Sequence, residues 1–173
     1  MLYLKPGELF ICKKPTVMRT ILGSCISITM HDPLTKLSAI CHAVLPEMPD
    51  KSSLVPPGIH EEIFGKMLTN HTFKYAQPTI EYMSDLYERF KIPFKRLEVK
   101  LFGGADVLEN TLQHDTTVGT KNINASISVL KGRGILLKAR DTGGSQGRKL
   151  VFKTGTGEVF VKKIRKTVIY THI

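Results

Sequence analysis

The chain has 173 residues, 42% of them hydrophobic and 23% charged, a composition that suits one globular domain with a sizeable core. No apolar run approaches the roughly 20 residues of a membrane-spanning helix, and residues 1–7 lack the basic region and long apolar stretch of a signal peptide, so a cytoplasmic protein without membrane insertion is expected. The formal net charge is +10, which calls for an acidic partner, while three cysteines with no close CxxC pair give neither a disulfide framework nor a metal site.

Residues 8–12 and 17–20 read as short strands separated by Lys13-Lys14-Pro15. The second leads into Gly23 and Ser24, which suit a tight bend whose N–H groups can face a developing oxyanion. From there Cys25, Ser27 and Thr29 alternate with Ile26, Ile28 and Met30, the period of a half-buried strand. Asp32-Pro33 marks a turn, and residues 37–45 form the returning strand of a hairpin.

With Met30 opposite Leu37, Cys25 and His42 become direct cross-strand partners, their Cβ atoms roughly 4.5 to 5.5 Å apart. Thiol and imidazole at that spacing can share a proton, and an imidazolium neighbour lowers a cysteine pKa from about 8.5. A slip of one residue would put the two on opposite faces. Thr20, just upstream, is placed to orient the imidazole with its hydroxyl. The plainer alternative is an inert buried thiol and a satisfied core histidine.

Beyond the hairpin, residues 47–58 form a loop by composition and a candidate rim over the site. Residues 60–67 suit a short helix with Ile63, Phe64 and Met67 inward. The clearest helix is 78–90, with proline in its first turn and Ile80, Met83, Tyr87 and Phe90 on one stripe. A strand over 97–102 ends at Gly103-Gly104, and a second helix covers 122–130. Strands follow at 135–140, 148–153 and 158–164, the last two making a basic antiparallel hairpin. The glycine-rich 141–147 has no helix behind it and no GK[ST], so it reads as a structural turn and not a phosphate loop. Residues 167–173 read as an apolar tail or edge strand. About eight strands and two or three helices, not strictly alternating, argue for one α+β domain over 1–173, with a mainly antiparallel sheet core and outer helices.

Several stretches also carry a family likeness. Thr20-Ile21-Leu22-Gly23-Ser24-Cys25, then Asp32, then His42-Ala43-Val44-Leu45-Pro46 resembles the signature of the chemoreceptor glutamine deamidase family, CheD. The likeness continues in order through Lys100-Leu101-Phe102-Gly103-Gly104-Ala105, Val118-Gly119-Thr120-Lys121-Asn122 and Ala139-Arg140-Asp141-Thr142-Gly143-Gly144-Ser145-Gln146-Gly147-Arg148. The resemblance implies a layered α/β sandwich and a Thr20, Cys25, His42 constellation. It also implies hydrolysis of glutamine side chains on chemoreceptor cytoplasmic helices through a thioester, with no metal or organic cofactor. It further implies a regulatory partner, the phosphatase CheC. A non-catalytic module that binds receptors or CheC is the rival. Where Lys121 stands the family usually has arginine, whose planar bidentate bonding lysine lacks.

The charge is concentrated. Residues 131–166 hold eleven Lys or Arg against Asp141 and Glu158, 11 − 2 = +9 of the total. No stacking aromatics are interleaved as a single-strand nucleic-acid platform would want, so acidic protein helices are the expected partner and nucleic acid is not. A solvated basic edge that discourages strand pairing is the plainer reading.

Overall fold

The computed structural model describes residues 1–49, 58–106 and 117–164. Most of the expected 47–58 loop and all of the 167–173 tail therefore lie outside the described residues. Two sheets stack on one another, and two helices cover the far side of one of them. The smaller sheet has the order β1-β3-β9-β10, formed by Leu2–Tyr3, Val17–Leu22, Arg148–Lys153 and Val159–Lys163. The larger has the order β6-β2-β5-β4-β7-β8, formed by Met67–Thr69, Glu8–Cys12, Ser38–Cys41, Ile26–His31, Glu98–Gly103 and Leu137–Thr142. Among the described strands, only β1 with β3 and β7 with β8 run parallel. The fold is thus α+β, layered and mainly antiparallel, as expected, its strands divided between two sheets.

Strand alternation sorts two cores. Ile26, Ile28 and Met30 of β4 face the helix layer, joined by Ile80, Met83, Leu86 and Tyr87 of α1 (Ala76–Arg89). Between the sheets lie Phe10, Met18, Leu22, Ile40, Leu150 and Phe152. Cys25, Ser27 and Thr29 point the other way from Ile26 and Ile28, into this second seam. The strand expected to be half-buried is buried on both faces.

The hairpin forms with a different register. Met30 pairs with Ala39, and Ile26 bridges Ala43. The turn explains the shift: Asp32 N–H donates to the Leu37 carbonyl at 2.9 Å, and the Asp32 carboxylate takes the Thr35 N–H and two bonds from Arg96 at 2.6 and 2.8 Å. This latch closes the loop at Asp32 and Leu37. Since the shift is two residues, every side chain keeps its face. Ser27, not Cys25, becomes the direct partner of His42, and Cys25 lies on the diagonal.

The expected helix at 60–67 is not formed. Glu61–Ile63 is a single 3-10 turn, and Met67 begins strand β6 beside β2. The second helix, α2 (Val118–Gly132), starts a turn earlier than expected because Thr117 caps it, its hydroxyl accepting the Thr120 N–H. The 141–147 turn is structural: Arg148, almost fully buried, bonds the Asp141 carboxylate and the carbonyls of Gly143 and Gln146.

Candidate active site

Thr20 of β3 and His42 at the end of β5 meet across the seam between the sheets. Both are almost fully buried. The main chain of His42 is held on both sides by β2's neighbourhood: its N–H donates to the Glu8 carbonyl, and its carbonyl accepts the Gly7 N–H. Thr20 Oγ1 lies 2.8 Å from the Leu4 carbonyl and 2.8 Å from His42 Nδ1. A hydroxyl has one proton, and a carbonyl can only accept. The proton therefore goes to Leu4, and Nδ1 must carry the hydrogen that Thr20 accepts. This fixes the neutral tautomer with its lone pair on Nε2, which is buried and has no hydrogen-bond partner.

Cys25 is half-buried at the mouth of the same seam, one residue before β4, whereas Cys12 and Cys41 are fully enclosed. No hydrogen bond joins its thiol to His42. Diagonal neighbours in an antiparallel pair lie roughly 7–8 Å apart, which two side chains leaning toward each other can close. Burial pushes the Cys25 thiol up, offset in part by the residue's own N–H. Burial also drives the His42 imidazole down to about 4. Both groups are neutral at pH 7, which reverses the expectation of a cysteine pKa lowered by an imidazolium.

The bend at Gly23 and Ser24 is held from outside. Gly104 N–H donates to the Cys25 carbonyl and Ala105 N–H to that of Gly23, each at 2.8 Å. Among the described residues no backbone carbonyl takes the N–H of Ser24 or Cys25. Three glycines allow this approach: a Cβ on Gly103 would collide with the Cys25 carbonyl, and one on Gly104 or Gly119 would drive α2 off the β7 end. Asn122, completely buried on α2, donates to the carbonyls of Ser24 and Val44, both at 2.9 Å, tying the cysteine bend to the histidine strand. Sequence reasoning missed that role. Its trace was the polar pair Asn122 and Ser126 on the inward side of a helix otherwise read from Ile123, Ile127 and Leu130. Lys121, by contrast, is exposed.

Among the described residues no group of three His, Cys, Asp or Glu side chains is gathered to hold a metal ion, and no helix is long and apolar enough to cross a membrane.

The family model described as CheD chemotactic sensory transduction matches residues 60–163. A probable chemoreceptor glutamine deamidase CheD 2 of Geobacter sulfurreducens is 39% identical over 95% of this chain and 91% of its own. The chain belongs to the CheD family. Other CheD relatives include the chemoreceptor glutamine deamidase CheD of Thermotoga maritima, 31% identical over 91% of this chain and 88% of its own. A probable deamidase of the same name from Maridesulfovibrio salexigens is 30% identical over 95% of this chain and 92% of its own.

Proposed function

We propose that this protein is a cytoplasmic cysteine amidohydrolase that converts glutamine side chains of chemoreceptors to glutamate, with Cys25 as nucleophile, His42 as base and acid, and Thr20 as the positioning residue. The observation that carries the reading is the unpartnered His42 Nε2, set in its tautomer by Thr20, in the same inter-sheet seam against which Cys25 packs. The CheD relatives' names supply the substrate.

The chemistry begins from a neutral pair. His42 Nε2 takes the thiol proton as Sγ attacks the carboxamide carbon, and the oxyanion forms against the N–H groups of Ser24 and Cys25. The C–N bond then breaks while Nε2–H protonates the departing nitrogen, leaving ammonia and a thioester. A water loses its proton to Nε2, adds to the thioester and expels the thiolate, which recovers the proton from His42. Every step uses side chains already present, so the reaction requires neither metal nor organic cofactor. CheC binding remains a second proposal, resting on family resemblance alone.

The test is incubation with a purified receptor cytoplasmic fragment, read by mass spectrometry for the glutamine-to-glutamate mass change. Conversion by the wild type and none by folded Cys25→Ala is expected. A folded wild type that leaves every receptor glutamine intact would return the protein to the non-catalytic reading.

A further inference from the structure

The outer face of the smaller sheet is exposed and ordered in rows. Ile21 of β3 stands opposite Lys149 of β9, which stands opposite Lys162 of β10. The next row runs Tyr3, Arg19, Val151, Phe160. Ile21 is 45% exposed and Phe160 51%, so apolar surface is interleaved with cations. Strand β3 runs toward Gly23, β9 starts at that end and β10 finishes there. The Ile21 row is therefore the one nearest Cys25, four residues and at most roughly 14 Å of chain away. Lys149, Lys162, Lys163 and Ile164 line an open recess of about 430 Å³ at this edge.

The sequence's basic segment is thinner than its count suggests. Arg148 is buried on Asp141, Arg133 pairs with Asp85 and Glu88, and Lys153 lies 3.6 Å from Glu158. No such acid accompanies Lys149, Lys162 or Lys163 among the described residues. Lys149 and Lys162 stand directly opposite each other, an arrangement that costs stability. The chain's own 165–173 adds Arg165 and Lys166 and no acid, so it does not complement them.

We infer that Ile21, Lys149 and Lys162, flanked by Lys163, form the docking surface for an acidic amphipathic segment of the substrate protein, holding carboxylates near the glutamine offered to Cys25. The inference rests on the deamidase reading for its substrate. It has a consequence in the reaction: deamidation replaces a neutral amide by a carboxylate, so each converted glutamine within reach strengthens docking for the next, and modification becomes sequential.

Binding of a receptor cytoplasmic fragment to Cys25→Ala separates the two readings, because it needs no turnover. Adding Lys149→Gln and Lys162→Gln should weaken binding roughly threefold to thirtyfold at about 0.05 M salt, and not at about 1 M, since exposed charges are screened. Adding Lys131→Gln and Lys138→Gln instead, an equal change in net charge, should leave it within about twofold. In the active background the first pair should lower kcat/KM with kcat held, and unfold no earlier than its parent. Equal effects of the two pairs, or none from the first, would overturn the docking surface even if glutamines are converted. Charge-dependent binding without conversion would instead sink the deamidase reading and leave the surface standing.

Discussion

His42 and His31 close opposite ends of the same hairpin, and their surroundings are nearly copies. Both are almost fully buried. Each sets Nδ1 at 2.8 Å from a hydroxyl, Thr20 for His42 and Ser38 for His31. Each hydroxyl lies 2.8 Å from a carbonyl of the smaller sheet's side, Leu4 or Thr154. The difference is on the other flank of the ring. His31 stands against Gly157 and the Glu98 carboxylate, and the thiol in its own row, Cys12 opposite Ser38, is enclosed, whereas His42 keeps an unpartnered Nε2 at the end of the seam where half-exposed Cys25 precedes β4. A hydroxyl relay is thus a general way to bury a histidine in this seam. Chemistry needs the unpartnered nitrogen and the half-exposed thiol as well.

The sharpest way to break this comparison is to remove each ring. His42→Ala should lower receptor deamidation by roughly 100 to 10,000-fold or more, while His31→Ala should stay within a few fold and lose stability instead. Equal losses of activity would show that the two histidines do not differ in role. The relay hydroxyls come next. Thr20→Ala should cost turnover roughly 10 to 1,000-fold, whereas Ser38→Ala should cost about 1–3 kcal/mol in urea unfolding through its orphaned partners, with turnover kept.

Titration gives a third contrast. The His42 imidazole sits at about 4 in the fold against 6.5 when exposed, so the unfolded chain takes up its proton first as pH falls. Its stabilising contribution is whole above pH 6.5 and is lost on the way down through 4, roughly 3 kcal/mol in all. Urea unfolding between pH 7 and 4 should show that loss, and His42→Gln should reduce it, leaving the part owed to His31, whose imidazole burial also pushes down. The acid limb of kcat/KM should likewise fall near pH 4, and a limb near 6.5 would contradict the buried neutral base. The smallest effect concerns the thiols. Iodoacetamide should label Cys25 before Cys12 or Cys41 because, among the three, only Cys25 reaches solvent, with a rate that goes on climbing beyond the pH at which an exposed thiol has ionised, since burial pushes the Cys25 thiol up.

The alternation of Cys25, Ser27 and Thr29 was legible in the sequence because period two survives burial on both faces. So were the clear helix over α1 and the basic hairpin of β9 and β10. The register was not, because it is set by Arg96, 64 residues from Asp32, and by the Tyr87 hydroxyl bonding the Met30 and Leu37 carbonyls. No local pattern carries contacts of that range. The Thr20–His42 bond was anticipated as a role, yet its partner carbonyl, Leu4, lies on a segment with no strand signal of its own. The neutral resting pair was missed for a similar reason: desolvation comes from the second sheet, which composition does not reveal.

The glycine triplet around the Cys25 carbonyl bears on how this protein can diverge. Any side chain at Gly103 strikes the cysteine bend, and one at Gly104 or Gly119 strikes the opposing backbone or Ile123. A side chain at any of the three must displace a neighbour, so change there is costly. The outer rows of Ile21, Lys149 and Lys162 touch no such constraint and tolerate exchange one residue at a time. Descendants of this chain should therefore drift in what they dock long before they drift in how the cysteine is held, so new target proteins can be acquired without rebuilding the chemistry.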